Sequence, residues 1–333
     1  MTLRYNHNDH ALRALLVAGV ILAAGSCAQA LRQVPVAPAA GPPINQLWIA
    51  PVDLSSRDLY LGPGGKALVP DSASYTFLKR DTSGASGGYD VRDTEGREWK
   101  VKFGIEAQPE IVVSRLLWAI GFHQPPVYYV ERWTLTGEDA GVQPAGRFRA
   151  ELPDQKVTSE WSWFENPFVG TRPFGGLVVA NLLLNNWDWK TSNNKVYQVG
   201  ESGPVRRMYV VRDLGASLGK TSQPALLRLP GFIRSMQGTK NDLEGFESQK
   251  FVRMDKSGKL DFDYAANYGD LVKHLTAEDV RWTCQLFSRL SDTQISDAFR
   301  AAGYPTAQTQ RYVRKIREKI AEGLALPGAS ALR

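Results

Sequence analysis

Two carboxylates, an amide and a pair of lysines have the types and spacing that could do chemistry. In "NNWDWKTSNNKVY", residues 185–197, Asp188 and Asn193 share one short stretch with Lys190 between them. A carboxylate and an amide so placed can orient a hydroxyl nucleophile and hold one hard cation, and Mg2+ favours oxygen ligands of that kind. Further on, "YVVRDLGAS" sets Asp213 at the end of a strand-like run, where Gly215 permits a sharp turn. A second carboxylate at that strand end would face the first loop and complete a metal site. In "WKVKF", Trp99, Val101 and Phe103 fall on one face of a strand, and Lys100 and Lys102 on the other. A lysine on an inner face needs an anion, because an unpaired buried charge is costly. Glu106 and Glu110, at the start of the next helix, are the nearest candidates. The plain alternatives are a solvated lysine face and an asparagine-rich turn that merely ends a helix.

The elements that must position these groups follow from periodicity. "YTFLKR", "YDVRD" and "EWKVKFG" alternate apolar with polar residues and predict strands. The glycine-rich "DTSGASGG" joins the first two and the tight "TEG" joins the second pair. "PEIVVSRLLWAIG" has helical spacing, with Pro109 in the first turn and Gly121 as a stop. Two more strands are expected in "PVYYVERWTL" and "GRFRAEL". The apolar helix "FGGLVVANLLLNNW" then leads to a hairpin, "NKVYQV" with "RRMYVVRD". Three helices are expected after it, in "TAEDVRWTCQLFSRL", "SDTQISDAFRAAG" and "TAQTQRYVRKIREKIAEGLA". The expected class is α+β: a small antiparallel sheet with one helix at residues 75–152, then a mainly helical lobe at 153–333 with a two-stranded insert. Residues 1–30 read as a leader and residues 31–74 as a Pro/Gly-rich tether and lead-in.

Taken in order, a strand lysine, a helix glutamate, D-x-K-x-x-N and D-x-G resemble the protein-kinase-like superfamily over roughly residues 75–220. Glu110, Ser114, Arg115, Leu116 and Gly121 resemble the regulatory helix of its atypical branch. HipA-type, CotH-like, secreted Golgi-type and phosphatidylinositol kinases belong to that branch. "NNWDWKTSNN" resembles its N-x-D-x-x-x-x-N loop. The resemblance implies a two-lobed fold that moves the γ-phosphoryl group of ATP, with Mg2+, to a hydroxyl of a protein, glycan or lipid. It implies that Lys102 holds phosphates and pairs with Glu110, and that Gly84, Gly87 and Gly88 lie over the phosphates. Asp188 would orient or deprotonate the acceptor, Lys190 would neutralise the transferred group, and Asn193 and Asp213 would ligate Mg2+. The register stays open between Lys100 and Lys102, Glu106 and Glu110, and Asn193 and Asn194. The chain departs from ordinary protein kinases in lacking G-x-G-x-x-G, H-R-D and A-P-E segments. A catalytically silent binding module and a nucleotidyl (AMP) transferase on the same fold are the alternatives.

Composition bounds the rest. The 333 residues carry a formal charge of +6, scattered rather than blocked, which argues against a nucleic-acid partner. The start, "MTLRYNHNDHALR" followed by "ALLVAGVILAAG", resembles a signal-peptide core, since a bilayer span takes about twenty apolar residues. "AGSC" would make Cys27 an acylated lipoprotein cysteine and a membrane tether, whereas "AQA" would be a cleavage site. Either exit gives an exported protein, periplasmic, membrane-anchored or secreted. With Cys27 lost or acylated, Cys284 has no partner and reads as a buried thiol. Near-absence of histidine disfavours a zinc cluster or a histidine-based hydrolase. "GASLGKTS" is one residue short of a nucleotide loop and is expected to begin an activation-type segment. "WSWFENPF" reads as lobe packing, and the basic face of "RYVRKIREKI" as a solvated helix surface.

Overall fold

A computed structural model describes residues 43–82, 87–200, 206–221, 238–265 and 269–328. The leader, Cys27, Gly84 and most of the segment after Gly219 lie outside the described residues.

Strands β1 (Ser74–Asp81), β2 (Gly88–Arg92) and β3 (Glu98–Phe103) precede helix α1 (Ala107–Ala119). Then come β4 (Val127–Val130), β5 (Trp133–Thr136), β6 (Gly141–Gln143) and β7 (Gly146–Ala150). Together they form a seven-stranded sheet in the order β4-β7-β3-β2-β1-β5-β6. The class is α+β, as expected, but the sheet is larger and not wholly antiparallel. "PVYYVERWTL" is two strands rather than one: β4 pairs with β7 at one edge, while β5 pairs in parallel with β1 near the other. In that place Trp133 and Leu135 are buried in an aromatic core with Tyr75, Trp99 and Phe148.

Alternation in β3 sends Trp99 and Val101 into this core and leaves Lys100 and Lys102 on the opposite face. The same rule in β7 buries Phe148 and turns Arg147 and Arg149 to the lysine side. Helix α1 is buried almost all round and belongs to the main core of the helical part. Its fully buried Arg115 donates from Nη1 to the Leu61 carbonyl at 2.6 Å and from Nη2 to the Val127 carbonyl at 2.8 Å.

Strand β8 (Gln155–Glu160), helix α2 (Arg172–Leu183) and strands β9 (Asn194–Val199) and β10 (Arg206–Val211) follow. The expected two-stranded insert is a three-stranded sheet, β10-β9-β8. Strand β8 carried no apolar signal, since "QKVTSE" is almost wholly exposed. Next come α3 (Leu243–Ser248), β11 (Val252–Met254), β12 (Leu260–Phe262), α4 (Gly269–Val272), α5 (Ala277–Ser288), α6 (Asp292–Ala301) and α7 (Thr306–Leu324). Thr276 and Ser291 close capping boxes on α5 and α6. Cys284 is buried, which pushes its thiol up to about 12. Trp161 and Trp163 lie in the core, while Phe164 is exposed.

The basic face of α7 corrects the sequence expectation. Arg311 and Arg314 do face outward and meet Glu247, at 2.5 Å in the case of Arg311. Lys315 and Lys319, however, are buried against the body of the helical part.

The first position of β2 requires a glycine. A Cβ on Gly88 would stand 2.3 Å from the Val101 carbonyl oxygen of the paired strand. Overpacking of that kind costs about 1–3 kcal/mol. Gly88→Ala should lower the unfolding free energy by that amount in urea titration, and an unchanged midpoint would contradict the close β2–β3 approach.

Candidate active site

Lys102 is the anchor of a cleft of about 330 Å3 between the sheet and the helical part. Its ammonium lies 2.6 Å from Glu106, bonds to Asp213 of the far side, and stands 3.9 Å from Glu110. Burial pulls the Lys102 ammonium down, but Glu110, Asp213 and Glu106 together outweigh it and hold its pKa above the usual value. Asp213 is the mirror case. Burial pushes its carboxyl up, and the Lys102 charge and hydrogen bond, with Arg147 and Arg149, bring it below the ordinary range.

Both glutamates that the sequence left open pair with Lys102, Glu106 as the nearer and Glu110 as the farther partner. Gly104, at φ 85°, turns the chain so that Glu106 returns to Lys102. Lys240 holds the other oxygen of Glu106. Burial raises the Glu106 carboxyl, yet Lys102 and Lys240 keep it below the usual value. Glu110 is set back from the cleft lining, where Arg147 Nε meets it at 2.9 Å.

The second half of the site comes from the stretch after α2. Its amides are scaffolding. Asn185 sits at φ 55° and donates to the Gly219 carbonyl at 2.6 Å and to Gln249 at 2.9 Å. Asn186 donates to Asn181 at 2.7 Å, and its side-chain oxygen accepts from the Asp188 backbone N–H at 3.2 Å. Asn194 donates to the Trp161 carbonyl at 3.1 Å, deep in the core and away from the cleft. Asn193 lines the cleft and donates from Nδ2 to the Asp188 carbonyl at 2.9 Å. The Asn193 carbonyl accepts from the Arg212 backbone at 2.8 Å, which ties the loop to the strand end bearing Asp213. Asp188 is half-buried and its Oδ2 accepts from the exposed Lys190 at 3.0 Å.

Lys102, Asp188, Lys190, Asn193, Asp213, Gly87 and Gly88 therefore line one cleft. Gly84 lies outside the described residues. Asp213 is held at φ 56°, a left-handed conformation that costs a non-glycine residue roughly 1–2 kcal/mol and that aspartate tolerates best.

Arg147, Arg149, Arg212 and Lys240 also line the cleft and were not singled out from the sequence. The signal for the first two was present, because "GRFRA" alternates as "WKVKF" does. Among the described residues, cationic side chains in the lining outnumber carboxylates seven to four, so the cleft favours a polyanion.

For a cation, the donors on offer are the Asp213 carboxylate and the Asn193 amide oxygen, both hard, with the Asp188 carboxylate in the same lining. Among the described residues no group of three His, Cys, Asp or Glu is placed to hold a metal ion without other ligands. That set fits Mg2+, which binds through one or two carboxylates and keeps water or phosphate oxygens for its remaining positions.

No protein-family model and no curated protein matches the chain. A solved structure, the Helicobacter pylori proinflammatory kinase CtkA, is similar at 12% identity and a TM-score of 0.42, over 76% of this chain and 97% of that one.

Beneath the loop lies Lys319 of α7, wholly buried. It donates to the Leu183 carbonyl at 3.1 Å and to Asn185 Oδ1 at 2.7 Å, and it lies 4.2 Å from the centre of the Phe246 ring. Burial, with a contribution from Lys315, lowers its pKa to about 7. Below pH 7 folded and unfolded chains both carry this proton, and the full cost of the buried charge is felt. Between about 7 and 10.5 the unfolded chain keeps the proton that the folded one has lost, so this group makes stability rise with pH. The urea midpoint should climb between pH 7 and pH 9, and Lys319→Met should flatten that slope. A parallel climb in the variant would remove Lys319 as its source.

Proposed function

We propose that the protein is an exported, Mg2+-dependent phosphotransferase that moves the γ-phosphoryl group of ATP to a hydroxyl on a protein, glycan or lipid. One observation carries this reading. A strand lysine, two carboxylates and a cleft-facing amide, from separated parts of the chain, line the same cation-rich cleft.

Lys102 would hold phosphate oxygens once it exchanges its bond to Asp213, with Glu106 and Glu110 keeping the ammonium aimed into the cleft. Gly87 and Gly88, without side chains, leave the start of β2 open to close approach of a phosphate chain. Asp188 would accept the proton of the acceptor hydroxyl as its oxygen bonds to phosphorus and the bond to the β-phosphate oxygen breaks, releasing ADP. Lys190, already on Asp188 Oδ2, would offset charge on the group in transfer. Asn193, whose Nδ2 is spent on Asp188, would offer its oxygen beside Asp213 to the metal. Bound there, Mg2+ would neutralise charge on the phosphates.

A second reading keeps the fold and transfers AMP instead. The arginines beside Lys100 favour it, since a nucleotide entering reversed would set its phosphates against them. Intact-mass measurement of the product separates added phosphate from added AMP.

The export part of the proposal stands on the leader-like start. Among the described residues no helix is long and apolar enough to cross a membrane.

Thermal melting tests the site directly. Saturating ATP with Mg2+ should raise the melting temperature of the parent by several degrees, and Asp213→Asn, which tolerates the same backbone conformation, should lose the rise. No rise in either protein would leave a kinase-fold binding module for some other ligand. Phosphoryl transfer should fall by at least about a hundredfold in Asp188→Asn, the usual size of a general-base contribution, with ATP binding retained.

A further inference from the structure

We infer that the cleft contains a second oxyanion subsite, formed by Lys100, Arg149 and Arg212 and distinct from the one at Lys102. The inference deepens the phosphotransferase reading and rests on it for the identity of the larger ligand, though not for the anion itself.

The strand register defines the spacing. Lys102 pairs with Arg147 across β3 and β7, and Lys100 pairs with Arg149 two residues along. Alternate residues on one face are about 7 Å apart, so the cleft wall carries two successive cationic rungs. The first rung is already supplied with carboxylates, through Glu106, Asp213 and Glu110. The second is not. Arg149 is 7% exposed, and its Nε has no hydrogen-bond partner among the described residues. Its only ion-pair partner among them, Glu151, stands 3.8 Å away on a half-exposed side chain that also serves Lys100 at 3.8 Å. Arg212 adds a further guanidinium from the far wall, fixed by its hydrogen bond to the Tyr197 hydroxyl at 2.8 Å. Burial, then Arg212 and Arg147, lowers the Arg149 pKa to about 10, the mark of cations crowded together without enough counter-charge.

Guanidinium groups are suited to this role because their planar donors grip phosphate or carboxylate in pairs. A buried arginine short of partners is costly, and an oxyanion would satisfy it. The ligand chemistry is therefore phosphate-like. Its source is either the phosphate chain of a nucleotide bound in the reversed sense or an anionic group on the acceptor.

Calorimetric titration at low ionic strength with inorganic phosphate and tripolyphosphate tests the subsite. Phosphate should bind the parent. It should bind Arg149→Met at least about tenfold more weakly, as expected for a lost charge-assisted pair, and Arg149→Lys should recover part of the affinity. Arg212→Met, at a half-buried position, gives the same readout if Arg149→Met does not fold. Loss of phosphate binding in Lys102→Met with none in Arg149→Met or Arg212→Met would overturn the subsite, as would no binding to the parent. Two further arms identify the source. Weaker ATP–Mg2+ binding in Arg149→Met, in step with tripolyphosphate, assigns the subsite to the donor's own phosphates. Unchanged ATP affinity with lost phosphate binding assigns it to the acceptor. Should the parent bind phosphate through Arg149 but not ATP, the subsite stands and the nucleotide reading falls.

Discussion

A buried ammonium cannot stay unpaired, and the molecule is arranged around that demand at Lys102. Placing it on the inner face of β3 obliges the rest of the chain to bring carboxylates to it. Glu106 arrives from the start of α1 and Asp213 from the end of β10, more than a hundred residues later. Because each partner is anchored in a different element, the ion cluster ties the large sheet to the helical part at the mouth of the cleft. The attraction is strong there because burial weakens solvent screening. It is also exchangeable, since a phosphate and a cation could take over the same charges.

Around this cluster the protein uses neutral hydrogen bonds for shape and charges for chemistry. Asn185, Asn186 and Asn194 are buried and spent on backbone and side-chain partners. Only Asn193 reaches the cleft, and it too braces Asp188. Lys319 holds this scaffold from below through Leu183 and Asn185, so the loop bearing Asp188 is pinned from the core side as well as from β10. Such bracing would lower the entropy lost in positioning a ligand against Asp188.

The cleft's charge balance sets its ligand class. A wall of lysine and arginine rungs opposed by a few carboxylates attracts phosphates and repels bare cations. A metal would therefore arrive most readily with its phosphate ligands. That would account for a donor set as small as Asn193 and Asp213, and for the concentration of guanidinium groups along the cleft.

Much of this was written in the local pattern. Alternation alone put Lys100 and Lys102 on one face. The last three helices and the strand run that places Asp213 at an element end were legible as well. The sequence did not decide which glutamate Lys102 takes, that β5 crosses to the far edge of the sheet, that exposed β8 joins β9, or that a lysine of the basic last helix lies in the core. Periodicity reports which side of an element a residue occupies, a property of neighbours in the chain. Ion partners, sheet edges and burial depend on what the other elements bring to that side, and only the packed structure holds that information.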